Sequence, residues 1–112
     1  MSGDFYRLEL GSGVVLYKPI DLPANGTAVL GVAGKRIVLI SAFLTVSANT
    51  TLQWFTSSGP VELTGPHTIT ATGGYVMPFN AGGWFQTLVG DSLLLNTGAA
   101  LGGCLSYALD GK

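Results

Sequence analysis

Apolar and polar residues alternate most regularly over residues 35–48. The even positions Val38, Ile40, Ala42, Leu44, Val46 and Ala48 are all apolar. The odd positions begin apolar at Ile37 and Leu39, then turn polar at Ser41, Thr45 and Ser47, with Phe43 between. A period of two is the signature of a strand with one buried face, and it puts the even set on the core side. The apolar start of the odd face calls for a cover from another segment or a subunit. Asn49-Thr50 then reads as a turn, and 51–57 as the returning strand. Shorter runs at 60–63, 68–71, 75–79 and 91–96 are separated by Thr-Gly-Pro-His, Thr-Gly-Gly and Gly-bounded turns. The last run alternates Leu101, Gly103, Leu105, Tyr107 and Leu109 against Gly102, Cys104, Ser106 and Ala108. The second set is small enough for another backbone layer to approach closely. From shared faces, the expected core is Val38, Ile40, Leu44, Val46, Leu93, Leu95, Leu105 and Tyr107.

The 17 glycines fall between these runs, and no window carries a helical stripe. Short strands with turn residues between them predict an all-β domain, an antiparallel jelly-roll-like β-sandwich. The first 24 residues read differently. Phe5, Tyr6, Leu8 and Leu10, then the run 14–17, are followed by Pro19 and Pro23, which exclude a central strand there. Residues 1–24 are therefore expected to form an amino-terminal arm or an edge hairpin, and 25–112 the sandwich. In that segment Phe5, Tyr6, Leu8 and Tyr17 are interleaved with Asp4, Arg7, Glu9 and Lys18. Together with Ile37 and Leu39 they are the candidate partner-contacting residues.

Composition sharpens the expectation of a partner. Apolar residues make up 47% of the 112 and charged residues 10%, against about a quarter charged in ordinary soluble domains. So weakly charged a surface repels its own copies little, which favours an oligomer or a place in a larger assembly. A net charge of −1, with only Lys35 and Arg36 adjacent among the basic residues, gives no stripe for nucleic acid. The longest apolar run, Ile37 to Leu44, is interrupted by Ser41 and is too short to span a bilayer, so no membrane role is expected. No basic region followed by an apolar stretch opens the chain as a secretory signal would. The single Cys104 can form no internal disulfide, which fits synthesis in a reducing compartment.

Chemistry is sparse. His67, the one histidine, follows Gly65-Pro66 and reads as a turn residue. Cys104 lies mid-strand with no cationic neighbour to stabilise a thiolate. One His and one Cys cannot close a zinc site. The carboxylates Asp4, Glu9, Asp21, Glu62, Asp91 and Asp110 are scattered along the chain. Gly31-Val-Ala-Gly34-Lys35-Arg36 lacks the spacing of a phosphate loop and no helix follows it. No enzyme, cofactor or metal is expected. Trp54, Tyr75, Phe79, Trp84 and Phe85 could line a sugar platform, although alternation puts several of them at core or interface positions.

From Gly34 onward the chain resembles small tailed-phage structural proteins of the capsid decoration or cement type. The likeness is carried by Gly34-Lys-Arg-Ile-Val-Leu39 followed by an Asn49-Thr-Thr51 turn, then Tyr75-Val-Met-Pro-Phe-Asn80 leading to Gly83-Trp-Phe-Gln-Thr87. It ends with Gly90-Asp-Ser-Leu-Leu-Leu-Asn96 and a Gly-rich strand finishing near Tyr107. It covers about two thirds of the chain; residues 1–33 match no part of the pattern. The resemblance implies a protein made in the host cytoplasm and placed on the capsid exterior of the virion. There it would bind the major capsid protein, associate with itself as a dimer or trimer, and staple neighbouring coat subunits. A fibre or tail module of the same fold is the alternative within that group, and a carbohydrate-binding sandwich the alternative outside it.

Overall fold

The computed structural model describes residues 8–10, 13–71 and 73–110, with side chains from Val15 onward. The Gly-bounded apolar runs become strands, in chain order β1 (Leu8–Leu10), β2 (Gly13–Leu22), β3 (Gly26–Val29), β4 (Arg36–Val46), β5 (Thr50–Thr56), β6 (Val61–Glu62), β7 (His67–Ile69), β8 (Tyr75–Met77), β9 (Phe85–Gln86), β10 (Leu93–Thr97) and β11 (Leu101–Asp110). They form two antiparallel sheets packed face to face, a β-sandwich. The larger sheet runs β1-β2-β11-β4-β8, with β9 also paired to β4. The smaller runs β3-β10-β5-β6, with β7 also paired to β5. From β2 to β5 successive strands alternate between the sheets. β6 and β7 then stay in the smaller sheet, β8 and β9 in the larger, and β10 and β11 alternate again.

The core lies between the sheets and is centred on Trp54, which is 0% exposed. Burial of such a ring removes about 150–250 Å² from water, worth about 4–6 kcal/mol. Phe85 on β9 packs against it, with ring centroids 5.4 Å apart and planes at 50°. Leu52, Leu93, Leu95, Leu101 and Leu105 fill the rest, as the alternation in β5, β10 and β11 requires. Tyr107 and Leu109 are half-buried against the same cluster.

In β4 the alternation changes phase. β11 pairs Ser106 with Ser41 and Tyr107 with Leu39, so Ile40 is an extra residue, a β-bulge. Before the bulge the odd residues Ile37 and Leu39 point inward; after it the even residues Ala42, Leu44 and Val46 do. The expectation that even positions face the core throughout therefore fails over Val38 and Ile40. Ile40 is buried, but with Val15 and Ala108 and half-buried Val38, in a second cluster on the outer face of the larger sheet. The apolar start of the odd face is covered from within the chain, by the smaller sheet.

The amino-terminal expectation also changes. β2 is a ten-residue strand paired to β11 from Val15 to Leu22, so the sandwich begins well before residue 25. Among the described residues its outer edge is paired to β1 at Gly13–Val15. Among them, too, Pro19 lies where β2 has a neighbour on one side alone, a position that tolerates a residue without an N–H. Over the described residues β1 and β2 pair antiparallel at the edge of the sheet; residues 1–7 of the expected arm or hairpin lie outside them.

Candidate functional site

On the outer face of the larger sheet, the bulge and the small residues of β11 combine to shape a groove of about 410 Å³. Its floor is Ser41, Cys104 and Ser106, and its sides include Tyr17, Phe43, Met77 and Phe79. The Ser41 and Ser106 hydroxyls bond one another at 2.5 Å, so the polar atoms of the floor are largely occupied within the chain. Phe43 is the apolar residue standing among Ser41, Thr45 and Ser47 on the odd half of β4. It pairs with Val76 of β8, which is 71% exposed. A large apolar side chain on an otherwise polar face was the sequence signal for this surface.

Beyond the groove, the chain from β8 to β10 carries further exposed apolar residues. The connection from β8 to β9 crosses the bulge and closes on it. Asn80 N donates to the carbonyl of Ile40 at 2.9 Å, and Trp84 N donates to that of Leu39 at 2.8 Å. Asn80 also accepts from Gly82 N on its side-chain oxygen, while its carbonyl accepts from Gly83 N. Gly83 has φ of +85°, and a Cβ there would run into the Val38 side chain, so the turn demands glycine. The indole N–H of Trp84 donates to Pro78 O at 2.9 Å, tying the ring to the residue before Phe79, and much of both aromatic side chains is exposed. Leu88 and Val89 follow, also exposed, and Gly90 N donates to Lys35 O at 2.7 Å, locking them against the loop that exposes Leu30 and Val32.

The end of this stretch is tied down by a polar clasp. Asp91 accepts from the Thr56 hydroxyl at 2.6 Å, from Ser58 N at 2.8 Å and from the Ser58 hydroxyl at 2.6 Å. These bonds favour the charged form, Ser58 contributing most, and hold its carboxyl below the usual value. Leu88 N donates to the Thr56 hydroxyl oxygen, and Ile37 N to that of Thr87. The motif residues Asn80, Gly83, Thr87, Gly90 and Asp91 thus hold strands to one another.

Among the described residues no three His, Cys, Asp or Glu side chains come together as a metal site. His67 opens β7 rather than sitting in a free turn, and it stacks on Tyr75 of the other sheet at 4.9 Å, closing one side of the core. Cys104 is half-buried, and burial raises its thiol above the usual range, the opposite of a reactive thiolate. Of the possible sugar platform, Trp54 and Phe85 are spent on each other, Tyr75 on His67, and only Phe79 and Trp84 are open.

The candidate contact residues separate. Ile37 and Leu39 are 1% and 0% exposed and belong to the core, because the bulge turns their end of β4 inward; they offer nothing to a partner. Tyr17 borders the groove. Phe5 and Tyr6 lie outside the described residues, as does the side chain of Leu8. The residues missed from sequence are Phe43, noted only as the apolar exception on its face, Val76, and the Leu88-Val89 pair, whose runs read simply as strand and turn.

No family model, curated protein or solved structure matches the chain.

Proposed function

We propose that the chain is a bacteriophage structural protein of the decoration or cement type, which binds the outer surface of the capsid and staples neighbouring coat subunits. The observation that carries this reading is the apolar, uncharged side running from Phe43 through Val76, Phe79 and Trp84 to Leu88 and Val89. From Ile37 to Gly90 the only formally charged residue is Glu62, so most of that side can be buried without stripping water from charges, with Lys35, Arg36 and Asp91 bordering its Leu88-Val89 end. The strand order supports a jelly roll, the eight-stranded double sheet found in viral capsid domains. The segments that resemble the decoration proteins supply the turns that present Phe79 and Trp84. Binding across a seam would add cross-links between coat subunits and oppose the outward pressure of packaged DNA. Its partners are then the major capsid protein and further copies of itself, on the exterior of the virion. The sugar-binding alternative is weakened by the burial of Trp54 and Phe85.

The test is to mix the purified chain with heads of the phage that encodes it, stripped of decoration, and image them by electron microscopy. Density in register with the icosahedral coat lattice, with heads that resist heating better, is expected. Density on fibres or tail parts, or none on the particle, overturns the reading.

A further inference from the structure

We infer that the chain pairs with a second copy of itself through the free edge of β8, two β8 strands running antiparallel about a two-fold axis near Val76. The inference rests on the self-association part of the proposed function and needs no capsid. Among the described residues β8 is the last strand of the larger sheet, hydrogen-bonded to β4 on one side only. An unpaired strand edge is a template for another strand unless something blunts it. The opposite edge of that sheet is blunted: β2 carries Pro19, which cannot donate, and Lys18, which shares a register position with buried Leu105 yet stays exposed. Neither device lies within β8, and its three residues limit the pairing to a short contact. Its middle residue is Val76, Gly73-Gly74 before it carry no side chains to keep a neighbour away, and Pro78 stops the pairing beyond Met77.

The charge pattern favours a second copy over a charged partner. A two-fold contact brings each residue near its own equivalent, so any net charge on the patch repels itself. No charged residue occurs from Thr68 to Gly90, and the neighbouring Phe43 lies in an equally uncharged stretch. Area gives the strength. Phe43, Phe79 and Trp84 are 45 to 54% exposed, and at about 150–250 Å² per ring they leave about 300 Å² open. Val76, Leu88 and Val89 raise this to at most on the order of 600 Å² when the contact reaches all of them, short of the ~800 Å² each partner gives a standard interface. That fits a weak dimer, reinforced when copies are held close together on a common surface.

Sedimentation of the full chain, at concentrations up to about 100 µM, where contacts of this size are populated, tests the inference. The wild type is expected to dimerise reversibly. Val76→Lys, at an exposed position that leaves the melt unchanged, is expected to weaken dimerisation at least tenfold, as inserted edge lysines do in natural sheets. Val76→Thr keeps the β-branched shape and is expected to give a smaller loss, a second reading should the lysine variant melt early. Thr27→Lys, on the far side of the sandwich, is expected to change nothing. A wild type that stays monomeric, a closed trimer, or a dimer indifferent to Val76→Lys each overturns the pairing. If the wild type is monomeric but binds heads through Val76, a coat subunit occupies this edge: the pairing fails and the decoration reading stands. A Val76-dependent dimer that binds no part of the particle has the reverse meaning.

Discussion

The two edges of the larger sheet have opposite characters. At β2 the edge is long, partly paired to β1, and carries Lys18, Pro19 and Asp21 on exposed positions. At β8 and β9 the edge is short, and the chain that forms it shows Val76, Phe79, Trp84, Leu88 and Val89. Both strands rest on the same central pair, β4 and β11, so the core does not dictate the difference. What differs is the solvent-facing chemistry: one edge is built to stay in water, the other is fit to be covered. The contrast gathers five large exposed apolar side chains along one edge of the larger sheet and puts charged residues and a proline along the other.

The comparison can be broken most severely from behind. Leu39 is 0% exposed and pairs with Phe85 of β9 and Tyr107 of β11. Leu39→Ala is expected to cost about 2–5 kcal/mol, read as a lowered urea midpoint with unchanged slope. A loss below about 1 kcal/mol would mean that the odd half of β4 does not face the core. Next comes the turn that presents Phe79 and Trp84. Gly83→Ala combines a left-handed backbone with a collision at Val38, for an expected cost of about 1–3 kcal/mol. Because the turn would move, quenching of Trp84 fluorescence by acrylamide is expected to rise alongside; unchanged quenching would count against the turn.

Acid probes the clasp at the end of the apolar side. The folded carboxyl of Asp91 titrates below its unfolded value of about 3.9, so its contribution to stability is complete above that value. The contribution is lost as the pH falls from about 4 through the lowered folded pKa. Asp91→Asn is therefore expected to be less stable than the wild type at pH 7, with the gap narrowing towards pH 3. A gap that does not change between the two pH values would remove Asp91 from the clasp. The smallest effect on stability is expected at the defended edge. Lys18→Thr with Pro19→Thr is expected to shift stability by no more than about 0.5 kcal/mol. Association is the quantity that moves: the double variant is expected to form larger species by light scattering, since both edges would then be open. If it stays as dispersed as the wild type, Lys18 and Pro19 are not what protects β2.

The sequence made the sandwich legible because nearly every strand is bounded by Gly or Asn and alternates within itself. β5, β10 and β11 followed their pattern closely. β4 did so only in its second half, since Ile37, Val38, Leu39 and Ile40 are all apolar and a run without polar residues cannot show where one residue is extra. β2 runs through Pro19 and ends before Pro23, because a strand paired on one side alone among the described residues has no use for an N–H at Pro19. β3 gives no signal of its own in the sequence, its four residues being too few to alternate convincingly. Of the candidate surface, Tyr17 and the small-residue face of β11 were visible beforehand. Val76 was not, because exposure depends on which strand ends a sheet, and pairing order is invisible in a single chain.

The bulge at Ile40 also bears on how the chain can change length. Across from Leu39 and Ser41, β11 offers Tyr107 and Ser106 with nothing between, so β4 holds one residue more than its partner matches. Removing Ile40 leaves Leu39 pointing inward, Ser41 outward and Ala42 inward; the loss falls on the outer cluster with Val15 and Ala108. Removing Phe43 instead would turn Leu44 and Val46 out to solvent. β4 therefore has a spatial reading frame, and Ile40 is the position where a single codon can be deleted without shifting it.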